Sequence, residues 1–254
     1  MKALILAAGL GERMRPLTDT TAKPLLRVGG KPLIAWHLEK LAAIGVREVV
    51  INTSWHAEQF PQILGDGARW GLRLHYSFEG PTPLETGGGI WHALRLLGGK
   101  PFLAVNGDIW TDFDFARLPR EPRGEAHLIL IDNPAHNPNG DFTLMHTGGA
   151  VQSSPPSAED IARLGDPGRR LTFAGIGIYR PSLFSDWRQI IGDAPGAHET
   201  PPRFKLAPLL RAAMAMHAVT GEHHRGKWTD VGTPKRLELL EAEIAETEQV
   251  KART

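Results

Sequence analysis

Residues 6–18 of the chain read Leu6-Ala7-Ala8-Gly9-Leu10-Gly11-Glu12-Arg13-Met14-Arg15-Pro16-Leu17-Thr18, and Lys23-Pro24 follows closely. Glycine tolerates positive φ, so Gly9 and Gly11 let backbone N–H groups approach a bound oxyanion. Arg13, Arg15 and Lys23 add positive charge to that turn; a guanidinium forks a phosphate where an ammonium acts as a point charge. Such a loop suits a nucleoside triphosphate, and its plainer alternative is a glycine turn with a solvated basic face. Neither common nucleotide fingerprint is present. A dinucleotide loop would need a third glycine where Met14 stands, and a P-loop would need Gly-Lys followed by Ser or Thr.

Two isolated acids come next. Asp108 closes Asn106-Gly107-Asp108 after an apolar run, and Asp230 lies in Lys227-Trp228-Thr229-Asp230-Val231-Gly232. Two carboxylates are a donor set that Mg²⁺ takes from a protein, because it retains waters and completes its shell with substrate phosphate. Without the basic loop the plainer readings would prevail, a turn residue or cap for Asp108 and an N-cap for Asp230. Glu85-Thr86-Gly87-Gly88-Gly89 opens a helix, where the glycines would let a flat base lie against backbone or would serve only as a flexible cap. Gly140-Asp141-Phe142 and Gly175-Ile176-Gly177 suit a sugar pocket, or a tight turn and a close backbone crossing. Lys205 is expected at the head of a helix whose N-terminus could hold a phosphate. His223-His224-Arg225 reads as a solvated basic loop, and the seven scattered tryptophans as packing.

Composition bounds what these residues can serve. The 254 residues are 41% hydrophobic and 22% charged, with a formal net charge of +1. That composition excludes disordered and fibrous classes and offers no electrostatic footprint for nucleic acid or a membrane surface. With no cysteine, disulfides, thiolate metal sites and thiol nucleophiles are excluded, and any metal must sit on oxygen or imidazole. No run approaches the roughly 20 apolar residues of a membrane span. A cytoplasmic protein is expected.

The elements that must position the site follow from periodicity. Residues 3–8 are a continuous apolar run, a strand buried on both faces; 48–52 and 101–106 read likewise, and 72–76 alternates as a more exposed strand. Helical spacing covers 32–44, 57–64 and 87–97. Strands alternating with helices predict an α/β domain with a mostly parallel, doubly wound sheet, whose ligands bind beyond the carboxyl ends of the strands. Further on, 127–131 and 171–179 read as strands and 204–216 and 233–250 as helices, while 147–168 and 192–203 read as mobile loops over the site. The terminal helix carries an apolar stripe that is either a dimer contact or packing on its own domain, so a monomer or a homodimer is expected.

With these residues in place, the chain resembles the sugar-1-phosphate nucleotidyltransferases. Their Leu-Ala-Ala-Gly-x-Gly-x-Arg-Met-x-Pro-Leu-Thr signature followed by Lys-Pro is matched from Leu6 to Pro24, with Lys31-Pro32 beyond it. The likeness extends through 84–89, 106–108, 175–177 and 228–234, hence over most of the chain. Features such as Pro83-Leu84-Glu85-Thr86-Gly87, Asn106 to Asp112, Gly140-Asp141-Phe142 and Phe204-Lys205-Leu206-Ala207-Pro208 resemble the branch that uridylylates N-acetylmuramic acid 1-phosphate in peptidoglycan recycling.

The resemblance implies a three-layer α/β/α sandwich with a mostly parallel, Rossmann-like sheet in one domain over 1–254. About 1–125 would be the nucleotide half, 126–232 the sugar-phosphate half and 233–254 a terminal helix and tail. It implies Mg²⁺ on Asp108 and Asp230, with UTP and a sugar 1-phosphate as substrates. Ala8, Gly9, Gly11, Glu12 and Arg13 would hold the triphosphate with Lys23 near the α-phosphate. Glu85, Thr86, Gly87 and Gly88 would face the base, with Asn106 nearby, and Asp141, Gly175 and Lys205 would contact the sugar phosphate. Arg13, Lys23 and Asp108 would carry catalysis. The runner-up is a guanylyl- or thymidylyltransferase on mannose or glucose 1-phosphate, or a uridylyltransferase on the latter. A remoter alternative is a non-catalytic nucleotide-sugar sensor or regulatory subunit.

Overall fold

β1 (Ala3–Leu6) is apolar throughout because both of its faces are covered. Successive side chains of a strand point to opposite faces. Accordingly Ala3 and Ile5 join one core while Leu4 joins the other. The computed structural model describes residues 1–146 and 148–252. Thr147, in a stretch expected to be a loop, and residues 253–254 of the expected tail lie outside the described residues.

The further strands are β2 (Arg27–Val28), β3 (Lys31–Pro32), β4 (Glu48–Thr53), β5 (Arg73–Phe78), β6 (Phe102–Asn106), β7 (Ile109–Thr111), β8 (Ala126–Ile131), β9 (Phe142–Leu144), β10 (Val151–Gln152), β11 (Arg169–Tyr179), β12 (Val219–His224) and β13 (Trp228–Asp230). The helices are α1 (Leu33–Ala43), α2 (Gln59–Leu64), α3 (Glu85–Leu97), α4 (Ala158–Leu164), α5 (Trp187–Ile191), α6 (Ala207–Ala215) and α7 (Pro234–Ala252).

Among the described residues, nine strands form the central sheet, along the path β10-β9-β11-β6-β1-β4-β5 with β8 and β12 branching from β11. The β6-β1-β4-β5 half is parallel. β11 runs antiparallel to β6, β8 and β9, while β12 is parallel to β8. One core lies between this sheet and α1 and α2, through Ile34, Leu38, Leu41, Phe60 and Leu64. The other lies under α3, α5 and α6, through Ile90, Ala93, Trp187, Leu209 and Met214. The alternating strand pattern thereby specifies the three layers. Register aligns Leu6 with Asn52 on one side and Asn106 on the other, and Asn52 with Ser77. The carboxyl ends of four parallel strands therefore form one edge.

Several sequence expectations change here. β1 stops at Leu6, because the Ala7 N–H donates to the Asn52 side chain (2.6 Å) instead of continuing the ladder. The helix expected over 204–216 begins at Ala207, so Lys205 precedes it rather than heading it. The stretch 147–168 contains β10 and α4, the latter capped by the Ser157 hydroxyl, which accepts from the Asp160 N–H. His223 and His224 are not a solvated loop: both lie in β12, and the buried His224 contacts Asp112 at 2.8 Å. The apolar stripe of α7 packs on its own domain, where Leu240 and Ile244 meet Met14, Val28, Leu33 and Val231.

Candidate active site

Beyond the carboxyl edge lies a cavity of about 660 Å³, lined by Ala8, Gly9, Gly11, Glu12, Arg13, Lys23, Glu85, Thr86, Asn106 and Asp108 among others. The structure thus brings together most of the nucleotide-site residues expected from sequence. Gly11 has φ 67°, the left-handed region that favours glycine. A Cβ there would lie 2.9 Å from Thr18 Cγ2, and the Thr18 hydroxyl donates back to the Gly11 carbonyl (2.8 Å). The loop is held from outside as well, since Trp55 donates to the Thr18 carbonyl and Gln59 bridges Thr20 and Ala22.

Lys23 is buried, and its ammonium donates to Asp108 Oδ2 at 2.6 Å. The lysine reaches from the segment after the glycine loop to the end of β6. Asp108 continues into β7, which pairs with β13 so that Asp230 stands opposite Ile109 and the Val231 N–H donates to the Asp108 carbonyl (2.8 Å). This ladder joins two acids far apart in sequence. Asp230 lies just behind the cavity wall: its Oδ2 accepts from Arg236 (2.5 Å), and its Oδ1 faces His136 Nε2 at 3.3 Å. A Cβ on Gly232 would meet both Arg236 and Asp230 at 2.8 Å and Arg13 at 3.5 Å, so the Arg13 guanidinium stands at the same corner.

The donor chemistry fits a hard divalent cation. Lys23 and Arg236 occupy the Oδ2 atoms; Asp108 Oδ1 makes no hydrogen bond among the described residues, and Asp230 Oδ1 faces His136 at 3.3 Å. Among those residues no cluster of three or more His, Asp or Glu side chains could hold a metal, so a cation at Asp108 and Asp230 would draw on those two carboxylates and on non-protein oxygens. Mg²⁺ requires no more from the protein when substrate phosphate and water fill its shell.

A second cavity, of about 380 Å³, shares Glu85, Thr86 and Asn106 with the first and adds Asp141, Arg170, Phe173, Lys205 and Arg211. Asp141 is oriented by the Phe173 N–H (2.9 Å on Oδ2) and Asn137 (3.1 Å on Oδ1). The two cavities meet where Glu85 begins α3 with φ 61°, a left-handed conformation uncommon for a non-glycine residue.

Three expected contacts are corrected. Gly87 and Gly88 do not face the cavity: a Cβ on Gly87 would lie 2.8 Å from the Lys205 backbone, and one on Gly88 2.6 Å from the Pro202 carbonyl. The Gly88 N–H is already given to Phe204 O. These glycines admit the segment 202–205 rather than a base. Gly175, with φ 75°, likewise admits the Asn106 side chain, which a Cβ there would meet at 2.6 Å; it supports the junction rather than lining either cavity.

Sequence reasoning missed Asn52 and Glu79, which line the first cavity. Asn52 accepts from the Ala7 N–H and donates to Glu79, whose other oxygen accepts from the Leu84 N–H (2.8 Å). Burial pushes the Glu79 carboxyl up from its ordinary value against these hydrogen bonds. The only available signal was position, since both residues follow strand-like runs at the carboxyl edge. Arg203 at the cavity mouth and His136 beside Asp230 had no local signal.

The family model for nucleotidyl transferases matches residues 2–247. The chain is 48% identical to N-acetylmuramate alpha-1-phosphate uridylyltransferase of Neisseria meningitidis serogroup B, covering 95% of this chain and 97% of that one. It is 34% identical to the Caulobacter vibrioides protein of the same name, over 96% and 97% of the two chains. Among solved structures, a Bacillus anthracis protein described as a glucose-1-phosphate thymidylyltransferase superimposes with a TM-score of 0.77 at 22% identity, covering 96% of this chain and 95% of that one; the likeness is one of fold.

Proposed function

The chain belongs to the nucleotidyl transferase family, and from that premise we propose that it transfers the uridylyl group of UTP to N-acetylmuramic acid 1-phosphate, releasing pyrophosphate. It is a sugar-1-phosphate nucleotidyltransferase. The observation that carries the reaction class is the junction at Glu85, Thr86 and Asn106, where the loop-lined cavity opens onto a cavity with Asp141 and Lys205. The 48% identity over nearly the full length of both chains supports the choice of base and sugar.

In this reading the first cavity takes the nucleotide and the second the acceptor, which divides one domain into halves at about residue 125 and leaves α7 as a brace. An oxygen of the acceptor's phosphate bonds to the α-phosphorus as the bond from that phosphorus to the bridging oxygen breaks in line. The electron pair leaves with pyrophosphate. The attacking phosphate is already ionised, so no general base and no covalent enzyme intermediate is required. The protein positions two anions and offsets their charge. The backbone at Gly9 and Gly11 and the Arg13 guanidinium hold the triphosphate, and Lys23 stands beside Asp108 where charge develops. Asp108 and Asp230 would hold Mg²⁺, which when bound supplies positive charge to the phosphate oxygens. Among the described residues no helix is long and apolar enough to cross a membrane, in keeping with a cytoplasmic role in peptidoglycan recycling.

The test is pyrophosphate release with Mg²⁺ across UTP, dTTP, GTP, CTP and ATP against the 1-phosphates of N-acetylmuramic acid, N-acetylglucosamine, glucose and mannose. Turnover confined to UTP with the first sugar is expected. Another active pair refutes the assigned substrates, and a blank grid refutes catalysis. Preference for UTP over dTTP is expected to be limited to roughly 10–200-fold, the discrimination one methyl group permits.

A further inference from the structure

The second cavity holds cations at two separate places. Lys205 is beside the junction, because its backbone lies against Gly87 in the first turn of α3. Arg211 is four residues beyond Ala207 on α6, roughly 6 Å further along the helix axis. Arg170 is five residues before Gly175 on β11, and Gly175 packs on Asn106 at the junction, so Arg170 lies toward the other end of that strand; it lines the second cavity and not the first. α6 packs against β10, next to Ser153, whose carbonyl accepts from Arg170 (2.8 Å). The two arginines thus belong to the end remote from the nucleotide.

Neither arginine has an ion-pair partner among the described residues. The Arg170 guanidinium donates to the backbone carbonyls of Asn139, Ser153 and Gly140, which fix its plane without neutralising it. Arg211 makes no hydrogen bond or ion pair among the described residues. Asp141, an acid of the same lining, accepts from Phe173 and Asn137.

We propose that Arg170 and Arg211 form a second anion subsite that binds a carboxylate on the acceptor sugar, apart from its 1-phosphate. The inference rests on the acceptor proposed above: N-acetylmuramic acid differs from N-acetylglucosamine by a lactyl ether ending in an ionised carboxylate. A guanidinium fork matches a carboxylate bidentately, and a guanidinium already fixed by carbonyls loses little freedom on binding. A neutral acceptor would give the half-buried Arg170 fork and the exposed Arg211 no anion to pair with, and so would forgo the charge-assisted contacts that the acid gains.

The test compares N-acetylmuramic acid 1-phosphate with its lactyl carboxamide, equal in shape but without the carboxylate charge, in the wild type and in Arg211→Gln, a position without hydrogen-bond or ion-pair partners among the described residues. The wild type is expected to prefer the acid. Arg211→Gln is expected to cut kcat/KM for the acid about 10–100-fold through acceptor KM, and to shrink the acid-to-amide ratio by the same factor. Arg170→Lys should shrink the ratio in the same direction by removing the fork. A wild type that uses acid and amide equally, or an Arg211→Gln enzyme whose ratio is unchanged, overturns the subsite and leaves the uridylyltransferase reading standing. A wild type active with glucose or mannose 1-phosphate but inert with the acid refutes the acceptor assignment, and the subsite falls with it.

Discussion

Gly9 and Gly11 stand two residues apart in the loop that lines the first cavity, yet alanine should act on them in opposite ways. At Gly11, φ is 67° and an added Cβ would lie 2.9 Å from Thr18 Cγ2 and 3.3 Å from Lys23 Cβ. Left-handed backbone costs an L-residue about 1–2 kcal/mol. Relieving the contact means turning Thr18 and losing its hydrogen bond to the Gly11 carbonyl, an overpacking cost of about 1–3 kcal/mol. For a chain of this length about 2–5 kcal/mol corresponds to a fall in Tm of about 4–20 °C. At Gly9 nothing lies within 4 Å of an added Cβ and φ is not positive, so Gly9→Ala should keep its Tm within about 2 °C of wild type. Its methyl would instead narrow the space assigned to the triphosphate and raise KM for UTP. Thermal unfolding without nucleotide and initial rates over a range of UTP concentrations separate the two effects. A Gly11→Ala protein that melts with the wild type would refute the strain argument, and a Gly9→Ala enzyme with normal KM would refute the placement of the triphosphate.

Asp108→Asn should lower turnover and raise the Mg²⁺ concentration needed for half-maximal rate; an unchanged metal dependence in a slowed enzyme would show that Asp108 is not a ligand. Gly87→Ala should push the backbone of Phe204 and Lys205 off α3, costing about 1–3 kcal/mol in urea unfolding and raising acceptor KM; if both stay normal, the glycine was not needed to admit that segment. His37 is fully buried with its ring against the Ile109 carbonyl, and burial lowers its pKa from 6.5 to about 4. The unfolded chain therefore takes up this proton first as pH falls. The stability it contributes is complete above pH 6.5 and is lost down to about pH 4. Between pH 7 and 5 the loss should be about 2 kcal/mol in urea unfolding, and His37→Gln should remove that part of the slope; an equal slope in the variant would contradict the burial argument.

Much of the parallel half of the sheet was legible because its signals are local. A strand covered on both faces must be apolar throughout, as in residues 3–6 and 102–105, and a helix over such a sheet must show a spaced apolar face, as in 33–43. The loop that lines the first cavity was legible for the same reason, since Gly9, Gly11, Arg13 and Lys23 lie within one stretch. Even α4 left a local trace, Ser157 three residues ahead of Asp160, but proline and glycine around it masked the pattern. Two- and three-residue strands such as β7 and β13 leave none, because so short a segment has no periodicity to read. Yet that pair sets Asp230 beside Asp108. Sequence also presented three glycines at 87–89 as freedom for a ligand, whereas packing fills the space at 87 and 88 with segment 202–205 and that at 89 with Asn52 and Glu79. A glycine announces that something comes close, and only the fold decides what. The chain's order was therefore enough to specify the layers and the glycine loop at the carboxyl edge, while the pairing of the two acid-bearing strands, the Asn52–Glu79 link and the arginines of the second cavity were decided by long-range contacts that no single stretch encodes.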